Sequence, residues 1–116
     1  MGGLADLQEE LTPQQVADLH AKGEIELVDV REPYEHEAGR IAGARHVEMA
    51  RLTEEAGSFD PERPLVFYCR VGARSAVASQ AFRASGFHAV NMKGGLLAWS
   101  EAGLPLEPDD GSVADH

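Results

Sequence analysis

The stretch CRVGARS, residues 69–75, gathers the chain's one cysteine, two arginines, a glycine and a serine into one short segment. A thiol is a strong nucleophile only as the thiolate, and cationic neighbours and hydrogen-bond donors aimed at the sulfur favour that form. Arg70 and Arg74 supply the cations, and Gly72 permits a tight reversal. A chain that reverses between a strand end and a helix start can turn successive backbone N–H groups inward. The result is a concave anion site at the positive end of the helix. The predicted chemistry is attack by Cys69 on an anionic substrate, through a covalent intermediate. With a single cysteine in the sequence, no internal disulfide can form and no second thiol can resolve that intermediate.

Positioning such a loop requires a strand before it and a helix after it. Leu65–Tyr68, LVFY, follows the breakers Asp60, Pro61 and Pro64 and ends directly at Cys69, which predicts a buried strand. Residues 75–85 carry Val77, Ala78, Ala81 and Phe82 at helical spacing and stop at Gly86, which predicts the helix. Earlier in the chain, Thr12, Pro13 and Gln15 read as a capping box opening a helix over residues 13–21. The run IELVDV, residues 25–30, is a second strand with Asp29 near its end. Pro33 opens a short helix to Ala38 on an acidic segment expected to be exposed. A brief strand is expected over 44–47, one or two helical turns over 50–56 and another strand over 88–92. Gly94 and Gly95 then turn the chain into a last helix over 96–102. Strands alternating with helices predict an α/β fold, a parallel sheet covered on both faces, with ligands beyond the carboxyl ends of the strands. Cys69 lies at that edge. One domain is expected over residues 1–107, followed by an acidic, disordered tail over 108–116.

Composition narrows the classes further. Apolar residues make up 43% of the 116 and aromatics 6%, so the core must be built mainly from aliphatic side chains. A net charge of -10, from 20 acidic and 10 basic residues, repels nucleic acid and anionic membranes, so neither is an expected partner. No apolar run is long enough to span a bilayer, and the opening MGGLADLQEE is acidic where a signal peptide would be basic. A cytoplasmic protein is expected, and a reducing compartment suits a working thiol. The five histidines have no spacing that suggests a metal site with one cysteine, and no metal or cofactor is expected.

The order VDVRE (residues 28–32), GRIAGARHV (39–47), VFYCRVGARS (66–75) and KGGLLAW (93–99) resembles the rhodanese homology domain over most of the chain. The resemblance implies a three-layer fold with a five-stranded parallel sheet and an active-site loop from Cys69 to Arg74. It makes Cys69 the persulfide-forming residue. The amides of Arg70, Val71, Gly72, Ala73, Arg74 and Ser75 would cradle the transferred sulfur. Asp29, Arg31 and the Gly94–Gly95 turn match positions that shape the site or its rim. Arg40 and Ala42 stand where the family more often has His and Pro, in a structural segment. The implied cycle moves sulfane sulfur from an anionic donor such as thiosulfate, through the Cys69 persulfide, to cyanide or a thiol, with a protein thiol as a further candidate acceptor.

Rival readings stay open at this point. A cysteine phosphatase or arsenate reductase of related fold uses the same elements, but cysteine phosphatases place a longer run between cysteine and arginine than the four residues between Cys69 and Arg74. A non-catalytic or persulfide-relay binding module is the reading from another class, since fold alone does not establish activity. Arg74 has a second reading, pairing with a surface carboxylate instead of a substrate, although its place in the loop favours anion binding. Asp29 has a structural reading, hydrogen bonding to loop N–H groups, and Arg31 shares the ambiguity. His46 is left outside the site because a preformed thiolate needs no base. Trp99 is read as core packing.

Overall fold

The computed structural model describes residues 9–116, so the acidic opening at residues 1–8 lies outside the described residues. In chain order the elements are β1 (Glu10–Leu11), α1 (Pro13–Ala21), β2 (Glu26–Asp29), α2 (Pro33–Ala38) and β3 (Arg45–His46). The single turn α3 (Leu52–Glu55) follows, flanked by two turns of 3-10 helix. The chain continues through β4 (Leu65–Tyr68), α4 (Ala73–Ala84), β5 (Ala89–Met92) and α5 (Gly95–Glu101). All four strand pairings are parallel, in the order β1-β5-β4-β2-β3.

Local chemistry accounts for several boundaries. The expected capping box at α1 is present: the Gln15 N–H donates to Thr12 Oγ1 at 3.2 Å and the Thr12 N–H to Gln15 Oε1 at 2.9 Å. β4 begins and ends where LVFY does, and all four of its residues are buried. The two-residue β1 was not expected. It exists through its register with β5, Glu10 opposite Asn91 and Leu11 opposite Met92, a non-local pairing that no short window reveals.

The pleat sends successive residues of β4 to opposite faces. Val66 and Tyr68 join Val16, Leu27, Ile41, Val90, Leu96 and Trp99 in one core layer, while Leu65, Phe67 and Cys69 join Val28, Leu52, Phe59, Ala78 and Phe82 in the other. Trp99 packs as expected and donates its indole N–H to Pro105 O at 2.8 Å. Within α4 the buried stripe is Ser75, Ala78, Ser79 and Phe82, and Val77, expected on that face, is exposed.

Residues 108–116, expected to form a disordered tail, instead lie along α2. Arg40 and Glu107 exchange backbone hydrogen bonds of 3.0 and 2.7 Å, and the Ser112 N–H donates to Ala38 O at 2.9 Å. Val113 packs against the first core layer, and the Tyr34 hydroxyl donates to Asp115 O at 3.1 Å. Gly39 makes the approach possible, because a Cβ there would stand 2.2 Å from Ser112 O. Acidic composition reads as solvation when the receiving backbone is not in view.

Candidate active site

Cys69 directly follows β4, and the start of α5 grips the backbone at this point: Leu96 N–H donates to Cys69 O at 2.8 Å and Leu97 N–H to Arg70 O at 3.0 Å. This close approach explains the glycine pair. Gly95 has φ +63, and a Cβ on it would lie 2.5 Å from Arg70 O and 2.6 Å from Cys69 O. The loop then closes through Gly72, whose φ of +100 is open to glycine and which caps α4. The Gly72 N–H donates to Cys69 Sγ at 3.1 Å, and Ser75 Oγ stands 3.4 Å from the same sulfur.

Cys69 is 1% exposed. Burial alone pushes its thiol pKa up. The Ser75 hydroxyl and the backbone N–H groups of Ser75, Gly72 and Val71 outweigh it and bring the group below the ordinary thiol value. The thiolate is therefore stabilised by the converging dipoles expected of the loop, with the sulfur inside the fold. Val71 and Ala73 are the exposed members of the loop.

Both arginines are engaged elsewhere. Arg74 Nη1 and Nη2 donate to Glu35 Oε1 and Oε2 at 2.8 and 2.9 Å, a bidentate pair with a carboxylate that is fully buried. The bland reading of Arg74 is thus the one the geometry presents, although its charge still interacts with Cys69. Glu35 also accepts the Glu32 N–H at 3.0 Å, and burial, which raises its pKa, is outweighed by Arg74 and that N–H. The expectation that the whole 33–38 segment is exposed fails at this residue. Arg70 is held at 3.4 Å from Asp115 Oδ1, on a side chain 99% exposed.

Asp29 and Arg31 form a second layer beside the end of β4. Arg31 Nε and Nη2 donate to the two Asp29 oxygens at 2.8 and 2.7 Å, and both side chains are completely buried. Arg31 Nη2 also donates to Gly39 O at 2.8 Å, while its guanidinium lies 5.5 Å from the Tyr68 ring centroid. His36 Nδ1 lies 2.8 Å from Asp29 Oδ2. The His36 ring stacks on His46 at 4.4 Å, and His46 Nε2 lies 2.7 Å from Arg31 O. Burial works against the Asp29 carboxylate, but Arg31 and His36 more than compensate and hold its pKa below the usual range. The network fastens the C-terminal end of α2, and α2 presents Glu35 to Arg74. Asp29, Arg31 and the loop residues thus form one continuous assembly.

Glu35, His36 and Asn91 were not among the residues singled out from sequence. Glu35 carried a signal, three residues after the N-terminal Glu32 of a Pro-started helix. Asn91 carried another, a polar side chain in the middle of the apolar strand AVNM. His36 carried none.

A family model described as the rhodanese-like domain matches residues 12–102. A sulfurtransferase from Allochromatium vinosum is 33% identical over 107 residues, covering 91% of this chain and 97% of that protein. Thiosulfate sulfurtransferase GlpE of Pseudomonas aeruginosa is 31% identical over 111 residues, with 95% and 99% covered. The uncharacterised protein YqhL of Bacillus subtilis is 37% identical over 64% of this chain, which spans 60% of its length. Among solved structures, a rhodanese-related protein from Thermoplasma volcanium aligns with a TM-score of 0.80 at 25% identity, over 85% of this chain and 97% of that one. With the parallel five-stranded sheet and a loop that converges on Cys69, these matches establish that the chain belongs to the rhodanese-like domain family.

Proposed function

We propose that this protein is a sulfurtransferase that carries sulfane sulfur on Cys69 from an anionic donor to a thiophilic acceptor. The observation that carries the reading is the Cys69 sulfur itself, met by the Gly72 N–H at 3.1 Å and held toward the thiolate despite full burial. Full-length relatives named as sulfurtransferases support the reaction class.

With thiosulfate as donor, the Cys69 thiolate attacks the outer sulfur and the S–S bond of the donor breaks. Sulfite leaves with its electron pair, and Cys69 keeps a persulfide with one negative charge. An acceptor nucleophile such as cyanide then attacks the terminal sulfur. Thiocyanate departs and the thiolate is regenerated with no net change in charge. The amides from Arg70 to Ser75 stabilise the anionic sulfur in both half-reactions. Because Arg74 is neutralised by Glu35, the donor's charge falls first on these amides and on Arg70. Arg70's partner Asp115 is exposed and easily exchanged for a substrate. A thiol or protein thiol serves as acceptor on the same geometry.

The test is thiocyanate formation from thiosulfate and cyanide, with the intact mass recorded before and after thiosulfate alone. Turnover and a gain of one sulfur atom, both absent in Cys69→Ser, are the expected results. Folded, reduced protein that gives neither product nor adduct would overturn this reading in favour of a non-catalytic binding module.

A further inference from the structure

Ser75 has one hydroxyl proton and two acceptors within reach, Asn91 Oδ1 at 2.5 Å and Cys69 Sγ at 3.4 Å. The orientation of Asn91 is not free. Its Nδ2 faces Gly72 O at 3.0 Å and the Glu10 carboxylate oxygen Oε2 at 3.1 Å, neither of which can donate. The amide nitrogen must point to them, and the amide oxygen must therefore point to Ser75. Asn91 is 2% exposed, and its three side-chain contacts tie β5 to the loop, to α4 and to β1. Ser75 is held in turn by the Ser79 hydroxyl, which donates to Ser75 O at 2.8 Å.

We propose that Asn91 is a positioning residue that holds the Ser75 hydroxyl proton while the Cys69 sulfur is neutral and yields it when the sulfur carries charge. The competition is electrostatic. A neutral thiol is a poor acceptor beside an amide oxygen, whereas a buried thiolate is a strong one. Ser75 thus stabilises the thiolate only by the difference between two hydrogen bonds, which leaves the sulfur more nucleophilic than a full-strength donor would. The inference rests on Cys69 being the reacting group. The charged groups around it are Arg74 with its partner Glu35, Arg70 in the loop, and Glu10 behind Asn91.

The test reads the thiol directly and needs no sulfur transfer: the pH dependence of iodoacetamide alkylation of Cys69 in wild type, Asn91→Leu, Ser75→Ala and the double variant. Leucine keeps the branching and the number of heavy atoms and removes the competing acceptor. Asn91→Leu is expected to lower the Cys69 pKa by about half to one unit, or about three- to tenfold faster alkylation on the acid side. In the Ser75→Ala background the same substitution should move it little, since Asn91 acts through the hydroxyl. A raised pKa, or an equal fall in both backgrounds, would assign Asn91 to the Gly72 contact alone and overturn the proposal. If Asn91→Leu does not fold, Asn91→Ala takes its place in both backgrounds: a lowered Cys69 pKa that depends on Ser75 supports the proposal, and any other result overturns it.

Discussion

Asp29 illustrates why a residue that never touches substrate can still be indispensable to the loop. Its carboxylate is the only ionic partner of the Arg31 guanidinium among the described residues, and neither side chain reaches solvent. Removing one member of a buried pair strands the other charge in a medium that cannot solvate it, at a cost of about 3–5 kcal/mol. Asp29→Asn preserves the shape but offers Arg31 a single neutral acceptor and leaves more of the guanidinium unsatisfied than Nη1, which already lacks a partner. The expected outcome is a fall in unfolding free energy of that order in urea titrations. α2 should loosen, since Arg31 and His36 fasten it through Gly39 O and Asp29. A loss below about 1 kcal/mol would mean that the pair anchors nothing. Glu35 belongs to the same logic with the charges reversed: it is the buried member, and Arg74 is the partner that reaches solvent.

At the scale of elements, the decisive contact is α5 against the Cys69 loop. The amides of Leu96 and Leu97 reach the carbonyls of Cys69 and Arg70 only because Gly95 has no side chain. In Gly95→Ala the new methyl meets two backbone carbonyls near 2.5 Å, and the residue keeps a left-handed φ, so either α5 or the loop must move. We expect Gly95→Ala to fold with a lowered melting temperature and to lose most Cys69 alkylation selectivity and sulfur transfer. Gly86→Ala, at φ +94 with nothing within 4 Å, is the matched control. Wild-type reactivity in Gly95→Ala would show that the loop does not depend on this approach. The same contrast explains what was legible beforehand. Thr12 with Gln15, LVFY before Cys69, and the glycine and arginines after it are local patterns whose meaning lies within a few residues. The partners that define the site are distant: Arg74 and Glu35 are 39 residues apart, Asn91 and Glu10 are 81, and Arg70 and Asp115 are 45. Arg74 looked like an anion ligand because its carboxylate sat on another helix. Asn91 looked like one more strand residue because its hydrogen-bond partners lie on α4, β1 and the loop.

For the whole molecule, two electrostatic effects oppose each other on acidification. With a net charge of -10 at neutral pH and an isoelectric point near 4.8, lowering the pH relieves self-repulsion and by itself would stabilise the fold. The buried groups act in the other direction. Asp29 and Glu35 have folded pKa values below their unfolded ones, because the arginines paired with them outweigh the burial that opposes ionisation. Their contribution is present above the unfolded carboxylate range of about 4 and is lost as pH falls through the folded values. His36 is also depressed, chiefly by burial, so below about pH 6.5 the unfolded chain takes up a proton that the native state resists. Cys69 extends the trend upward: with its folded value below the ordinary thiol range, stability still rises with pH until the unfolded thiol ionises at about 8.5. Surface repulsion is screened by salt over roughly 8 Å at physiological ionic strength, while the buried pairs are not, so local terms should prevail at that salt and above. The urea midpoint is therefore expected to climb from pH 4 to pH 8.5, and the climb to steepen as salt is added. Cys69→Ser should flatten only its alkaline end, whereas a midpoint that peaks near the isoelectric point at high salt would mean that His36 and Cys69 do not govern the pH dependence of this fold above the carboxylate range.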